Sequence, residues 1–185
     1  MSRNYKFHNK LGLYFISFAT VYWIDVFTRQ EYFSILEESL QYCRKAKGME
    51  IFAYCIMTNH IHLIYRSKKG DPSGLLRDFK KHTSKQLLKA IQGNFKESRR
   101  EWILGMFKNA GRTKANISKY QFWQHHNQPV ELWSTKVIKQ KINYIHYNPV
   151  KAGFVDEPAQ WKYSSASNYS GNSTGMPIDD IGFLG

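Results

Sequence analysis

The sequence predicts an α+β fold built on a largely antiparallel sheet. Two strand-like runs, Met49 to Met57 and His60 to Tyr65, are separated only by Thr58 and Asn59, the spacing of a hairpin. A third run, Gly12 to Val21, is rich in Tyr, Phe, Ile and Val, as a buried strand is. The segments around these runs place apolar residues three or four apart, the period of amphipathic helices. The order is β-α-β-β-α, followed by more helix, a strand and a helix. Connected hairpin strands with crossing helices make a layered sandwich.

Each element has its own signal. Thr28-Arg-Gln-Glu31 matches a capping box, with Glu three residues after Thr. The helix it opens carries Phe33, Leu36, Leu40 and Cys43 on one side and stops at Lys47-Gly48, with basic residues in its last turn and Gly as the stop. Asp71-Pro72-Ser73 starts a second helix running to about Gln92. Its apolar side is Leu76, Phe79, Thr83 and Leu87, and another side carries the row Arg77, Lys81, Lys85 and Lys89. Glu97 to Asn109 suits a further amphipathic helix, and Gly111 to Lys119 a basic loop. Tyr120 to Trp133 holds one strand. Thr135 to Tyr147 is helical and ends at Asn148-Pro149, because the residue before proline is disfavoured in the α region. No composition break divides the chain, so residues 1–170 form one domain and 171–185 a flexible tail.

Lys and Arg number 27 against 14 Asp and Glu, a net charge of +13, which points to a polyanionic partner, nucleic acid or an anionic surface. Arg3, Lys6 and Lys10 before the apolar run Leu11 to Ile24 mimic a secretory signal, but no A-x-A cleavage pattern follows. No stretch reaches the roughly 18–20 apolar residues that span a bilayer, so a membrane role is not expected. Cys43 and Cys55 sit in no metal-ligand spacing and suit a reducing cytoplasm, where a DNA-binding protein would associate with the nucleoid. No GxxxxGK[ST] loop is present, which argues against a nucleotide-driven enzyme of that type.

His60 and His62 lie two apart on a strand, so both imidazoles project from one face and can share a metal ion, while Ile61 and Leu63 point to the core. Imidazole suits zinc, copper or nickel, whereas phosphoryl chemistry suits magnesium or manganese. Tyr144 and Asn148 share one side of the last helix, and Gln140 lies one turn earlier. A tyrosine can act as a covalent nucleophile when activated and aimed, and Asn148 or Gln140 offers a neutral oxygen to a metal. Tyr147 is a rival nucleophile. Lys141 and Lys151 are nearby cations, Lys141 three residues before Tyr144 on the same side of the helix. For DNA, Arg77, Lys80, Lys81, Lys85 and Lys89 offer a basic helix face; Lys108, Arg112, Lys114 and Lys119 offer a basic loop. Trp123, His125, His126 and Trp133 are candidates to stack on unpaired bases.

Taken together, these residues carry a resemblance. His60-Ile-His62 after Ala53-Tyr-Cys-Ile-Met-Thr-Asn59 resembles the His-hydrophobe-His motif of the HUH nucleases. Tyr144-Ile-His-Tyr-Asn-Pro-Val-Lys-Ala-Gly153 resembles the tyrosine helix of single-tyrosine transposases, and Trp161-Lys-Tyr-Ser-Ser-Ala166 also looks like the REP-associated group among them. The resemblance covers about residues 10 to 170. It implies a ferredoxin-like or RRM-like antiparallel sheet with helices on one face. It also implies a transposase activity that cuts single-stranded or hairpin DNA through a 5′-phosphotyrosine. In that reading Tyr144 is the nucleophile; His60, His62 and Asn148 hold Mg²⁺ or Mn²⁺; and the protein is a monomer or a homodimer. A phenol is a weak nucleophile at its ordinary pKa near 10, so the metal, Lys141 and Lys151 are expected to assist. A related replication initiator or relaxase and a non-catalytic nucleic-acid-binding module are the competing readings.

Overall fold

The computed structural model describes residues 6–112, 119–125, 127–171 and 175–182. Four strands form one antiparallel sheet in the order β2-β3-β1-β4: β1 is Tyr14–Ala19, β2 Met49–Ile56, β3 His60–Ser67 and β4 Val130–Glu131. With α1 (Gln30–Tyr42) between β1 and β2, and α2 (Pro72–Gly93) and α3 (Arg100–Arg112) between β3 and β4, this is the ferredoxin-like arrangement. The chain continues into α4 (Thr135–His146), α5 (Asn148–Lys151) and α6 (Ala166–Tyr169).

Side-chain alternation sends each strand to two different cores. Tyr14, Ile16 and Phe18 of β1 and Ile61, Leu63 and Tyr65 of β3 join Leu36 and Leu40 of α1, Leu76, Phe79 and Leu87 of α2, and Ile103 and Phe107 of α3. Phe15 and Ile64 point the other way, to Ile138, Ile142 and Ile145 of α4. Helices therefore cover both faces, not one as expected: α4 packs opposite α1 and α2, because its apolar stripe needs the face those helices leave open. In β2 a bulge interrupts the pairing between Ile51 and Ala53, so that Phe52 and Ala53 both reach the α4 side.

Most local signals hold, although α3 begins at Arg100 and takes in Gly111 and Arg112, both expected in a loop. Asp71 caps α2 by accepting from Gly74 N (2.8 Å), and Ser134 caps α4 by accepting from Val137 N (3.3 Å). A π-turn over Cys43–Lys47 extends α1 and ends at Gly48, whose φ of 76° suits a residue without Cβ. The Thr28 capping box does not form. Arg29 takes the cap position without a side-chain bond, and Thr28 Oγ1 accepts instead from Arg99 Nη2 (3.0 Å). The segment expected to fray is also partly fixed: among residues 175–182, Met176 is buried, and Asp179 pairs with Arg44 (2.7 Å) and exchanges hydrogen bonds with the Ile51 backbone. Together with Tyr163 O accepting from Ile56 N and Ser165 N donating to Tyr54 O, this covers the outer edge of β2.

Candidate active site

His60 and His62 stand on the α4 side of β3, the centre of the sheet beside β1. Their Nε2 atoms are 3.1 Å apart. A relay fixes His60: the Asn59 amide nitrogen donates to Asp25 (2.9 Å) and to the Trp23 carbonyl (3.3 Å), which turns Asn59 Oδ1 toward His60 Nδ1 at 2.7 Å. That oxygen can only accept, so His60 carries its proton on Nδ1 and presents the Nε2 lone pair toward His62. His62 is 3% exposed, and its Nδ1 has no hydrogen-bond partner among the described residues. Burial first, then the charges of His60 and Lys141, push His62 down to about 3; burial also lowers His60, against the opposing effects of the Asn148 side chain and Asp25. Both rings are therefore neutral near pH 7, the state in which imidazole can bind a metal.

The remaining members arrive from the far end of α4. Ile138, Ile142 and Ile145 seat that helix on the sheet, and His146 Nε2 meets Ser165 Oγ at 2.9 Å, tying its end to β2. Tyr144, 40% exposed, lies edge-to-face with His62 (5.2 Å between centroids) and with Phe15 (5.9 Å). Lys141 Nζ is 5.4 Å and Lys151 Nζ 5.9 Å from the Tyr144 ring centre. Asn148 begins α5, just past the end of α4, and its side chain is close enough to both histidines to oppose the lowering of their pKa by burial. Tyr147 and Gln140 are exposed, and the ring contacts of the histidine pair involve Tyr144 and not Tyr147.

The donor set fits a metal ion. Two neutral imidazole nitrogens face one another closely enough to share an ion, with one amide oxygen beside them. Among the described residues, no three His, Cys, Asp or Glu side chains gather anywhere. The Asn148 amide would be the third donor, in a set that carries no charge. A hard divalent ion would fill its other positions with water or phosphate oxygens.

The remaining expectations divide. Arg77, Lys81, Lys85, Lys89 and Arg112 are exposed, but their helices pack on the sheet face opposite the histidines. Lys80 turns inward: its ammonium donates to Gln124 O (2.7 Å) and Asn127 Oδ1 (2.5 Å) over the Phe18 ring, and burial brings it down to about 7, so it is not part of a phosphate-binding face. Trp123, at 6% exposed, is core; it packs on Phe18 and Phe27 and donates to Thr83 Oγ1 (3.1 Å), which removes it as a base-stacking surface. Trp133 is exposed. Lys114 and His126 lie outside the described residues. Sequence patterns did not single out Asn59, Asp25 and Phe15, nor Trp23, whose ring meets His60 edge-to-face at 5.6 Å. An aromatic pair followed by Asp at the end of a strand was the only hint.

Comparisons with known proteins agree with this fold. A putative REP-associated tyrosine transposase of Haemophilus influenzae is 29% identical over 118 residues, 63% of this chain and 58% of that protein. The REP-associated tyrosine transposase of Escherichia coli K12 is 26% identical over 133 residues, 72% of this chain and 64% of that protein. The chain thus matches less than two thirds of the length of either relative. A solved REP-associated tyrosine transposase, bound to a REP hairpin, shares the fold over 100% of this chain and 94% of its own, with a TM-score of 0.67 at 20% identity. Residues 11–120, spanning β1, both histidines and α1 to α3, match the family model described as "Transposase IS200 like", and the chain belongs to that family.

Proposed function

We propose that this protein is a metal-dependent endonuclease and strand transferase of single-stranded DNA, a transposase that nicks beside hairpins through Tyr144. The observation that carries this reading is the meeting of His60 and His62 with Asn148 and Tyr144: an uncharged donor set with a tyrosine ring against it and two lysines around that ring. Mg²⁺ or Mn²⁺ held by His60, His62 and Asn148 would supply Lewis-acid polarisation and a template for the scissile phosphate.

The protein's own groups account for the rest. Lys141 and Lys151 bring positive charge to the rim where a phosphodiester would lie. His62 and Phe15, each edge-to-face with Tyr144, restrict how its ring can turn. In the forward step the phenol gives its proton to solvent, and its oxygen bonds to phosphorus as the P–O3′ bond breaks. The departing O3′ takes up a proton and leaves as a free 3′-hydroxyl. Attack by another 3′-hydroxyl on the 5′-phosphotyrosine reverses the exchange and joins strands. No phosphodiester is hydrolysed, so no ATP is consumed.

Membership of a transposase family, the +13 charge and a shared fold with a protein solved on a REP hairpin support DNA as the partner. The row Arg77, Lys81, Lys85 and Lys89, with Arg112 and Lys114, would take the duplex stem. All four members of the site stand on one chain, and a homodimer could still share them by exchanging the Tyr144 helix. Two buried free cysteines suit the cytoplasm, and a DNA substrate suits the nucleoid. Among the described residues no helix is long and apolar enough to cross a membrane.

The test is incubation of a labelled hairpin library carrying single-stranded flanks with Mg²⁺ or Mn²⁺. The expected product is a slow-migrating covalent protein–DNA adduct that is lost in Tyr144→Phe and His62→Ala, while Tyr144→Phe still binds the hairpin. Tight binding with no adduct under any metal would instead make the protein a non-catalytic DNA-binding module.

A further inference from the structure

Immediately after β1 the backbone takes a path that large side chains resist. Tyr22 and Trp23 have φ of 56° and 54°, in the left-handed region that bulky residues rarely occupy. Such conformations persist where the surroundings over-determine them, and they cluster at binding sites. Here the turn is held from several sides. Thr20 N donates to Asn59 O (2.9 Å), Val21 N to Phe122 O (2.9 Å) and Thr20 Oγ1 to Ile24 O (2.8 Å). The Trp23 and Asp25 carbonyls accept from Asn59 Nδ2 (3.3 Å) and Arg99 Nη1 (2.8 Å).

The turn does not serve the core: both rings are 56% exposed, although they are among the residue types that gain most from burial. It does serve the site. Asn59 holds the Trp23 carbonyl with its nitrogen and His60 with its oxygen, and the Trp23 and His60 rings meet at 5.6 Å. An open indole is thereby fixed to the histidine pair, on a strongly basic protein.

We propose that Trp23, presented by this strained turn with Tyr22 beside it, is a stacking platform for one unpaired base of the DNA strand that enters the site. The ligand chemistry is that of a nucleobase face, which stacks on an aromatic ring with little regard to sequence. The indole loses little conformational freedom on contact because the turn has already fixed it. The assignment rests on the nuclease reading for what the site is, and on the turn alone for what Trp23 does.

Equilibrium binding to the full chain tests it. The probe is a fluorescent DNA hairpin with single-stranded flanks, in which one abasic position is walked along the flanks. Trp23→Gly removes the ring and also relieves the positive φ, so the variant should melt no lower than wild type. It should bind the unmodified hairpin about 5- to 140-fold more weakly, and Trp23→Phe should recover most of that loss. At one abasic position wild-type binding should fall by a similar factor, with no further loss in Trp23→Gly. Additive losses at every position, or unchanged binding by Trp23→Gly, would overturn the proposal. A lower melting point in Trp23→Gly would likewise mark the ring as structural. Adduct formation by the wild type is scored separately. Non-additivity without any adduct upholds the stacking and sinks only the nuclease reading; an adduct with additive losses does the reverse.

Discussion

On one face of the sheet α1, α2 and α3 close over Ile16, Phe18, Ile61 and Leu63, and the contact is mostly aliphatic and aromatic. On the other face a single twelve-residue helix, α4, covers Phe15, Ala53, Cys55 and Ile64, and the next residues along the same strand are histidines. The same β3 backbone feeds both faces, one residue in two to each. The first face takes every gain that burial offers. The second keeps a buried nitrogen without a partner among the described residues, His62 Nδ1, an arrangement that costs about 1–3 kcal/mol where it occurs. A strand can therefore be anchored by its odd-numbered residues while its even-numbered ones carry groups that packing alone would not select.

The largest expected effect tests the first half of that contrast. Leu36 is fully buried between α1 and the sheet, so Leu36→Ala should destabilise the fold by about 2–5 kcal/mol. Urea unfolding measures this. Below the melting transition the variant should still form whatever adduct the wild type forms. A loss under about 1 kcal/mol would mean that the first face is not where stability resides.

The second half is tested at His62. His62→Leu keeps a similar volume, removes the partnerless Nδ1 and takes away one metal donor. The apo protein should become about 0.5–2 kcal/mol more stable, and Mn²⁺ should raise the melting temperature of the wild type but not of the variant. The pH dependence has a definite sign. An unfolded His62 takes up a proton as pH falls below about 6.5, whereas the folded one resists until about 3. Stability is therefore fully present above pH 6.5 and is lost on acidification toward 3. His62→Leu should shed less stability over that window than the wild type does. Equal losses, or destabilisation of the apo variant, would show that His62 is ordinary core.

Much of this contrast could be read from the chain itself. Alternation in HIHLIY correctly placed Ile61 and Leu63 against the helices and the histidines opposite them, because a strand's period of two is set by the backbone. The start of α2 followed from Asp71-Pro72 for a similarly local reason, and its end fell within a residue of the expected Gln92. The failures were all tertiary. Whether a lysine in a basic row faces water depends on what packs beside it, and Gln124 and Asn127 draw Lys80 inward. Trp123 went to the core because β1 and α2 leave a ring-sized space between Phe18, Phe27 and Thr83. The Tyr22-Trp23 turn left no local mark, since its positive φ values come from Asn59, Phe122 and Arg99, all distant in sequence.

The smallest expected effect concerns how DNA reaches from one face to the other. Lys81, Lys85 and Lys89 lie on α2, on the sheet face opposite Tyr144, so no short unpaired strand lying in the site should touch them. A duplex stem is wider and can follow the protein around to that face. In the triple alanine variant, hairpin binding should weaken and the slope of log affinity against log salt should become shallower by about 0.9 for each phosphate left without its lysine. Binding of a short unstructured oligonucleotide should hardly change. Lys80→Met, which removes an inward-facing charge, should leave both slopes as they are while lowering stability, because Gln124 O and Asn127 Oδ1 lose their donor. If instead the triple variant affects hairpin and oligonucleotide alike, the unpaired strand crosses α2. If it affects neither, the stem lies along α4, where Lys136 and Lys139 are exposed on the site's own side, and the face bearing α2 is left with stability as its only role.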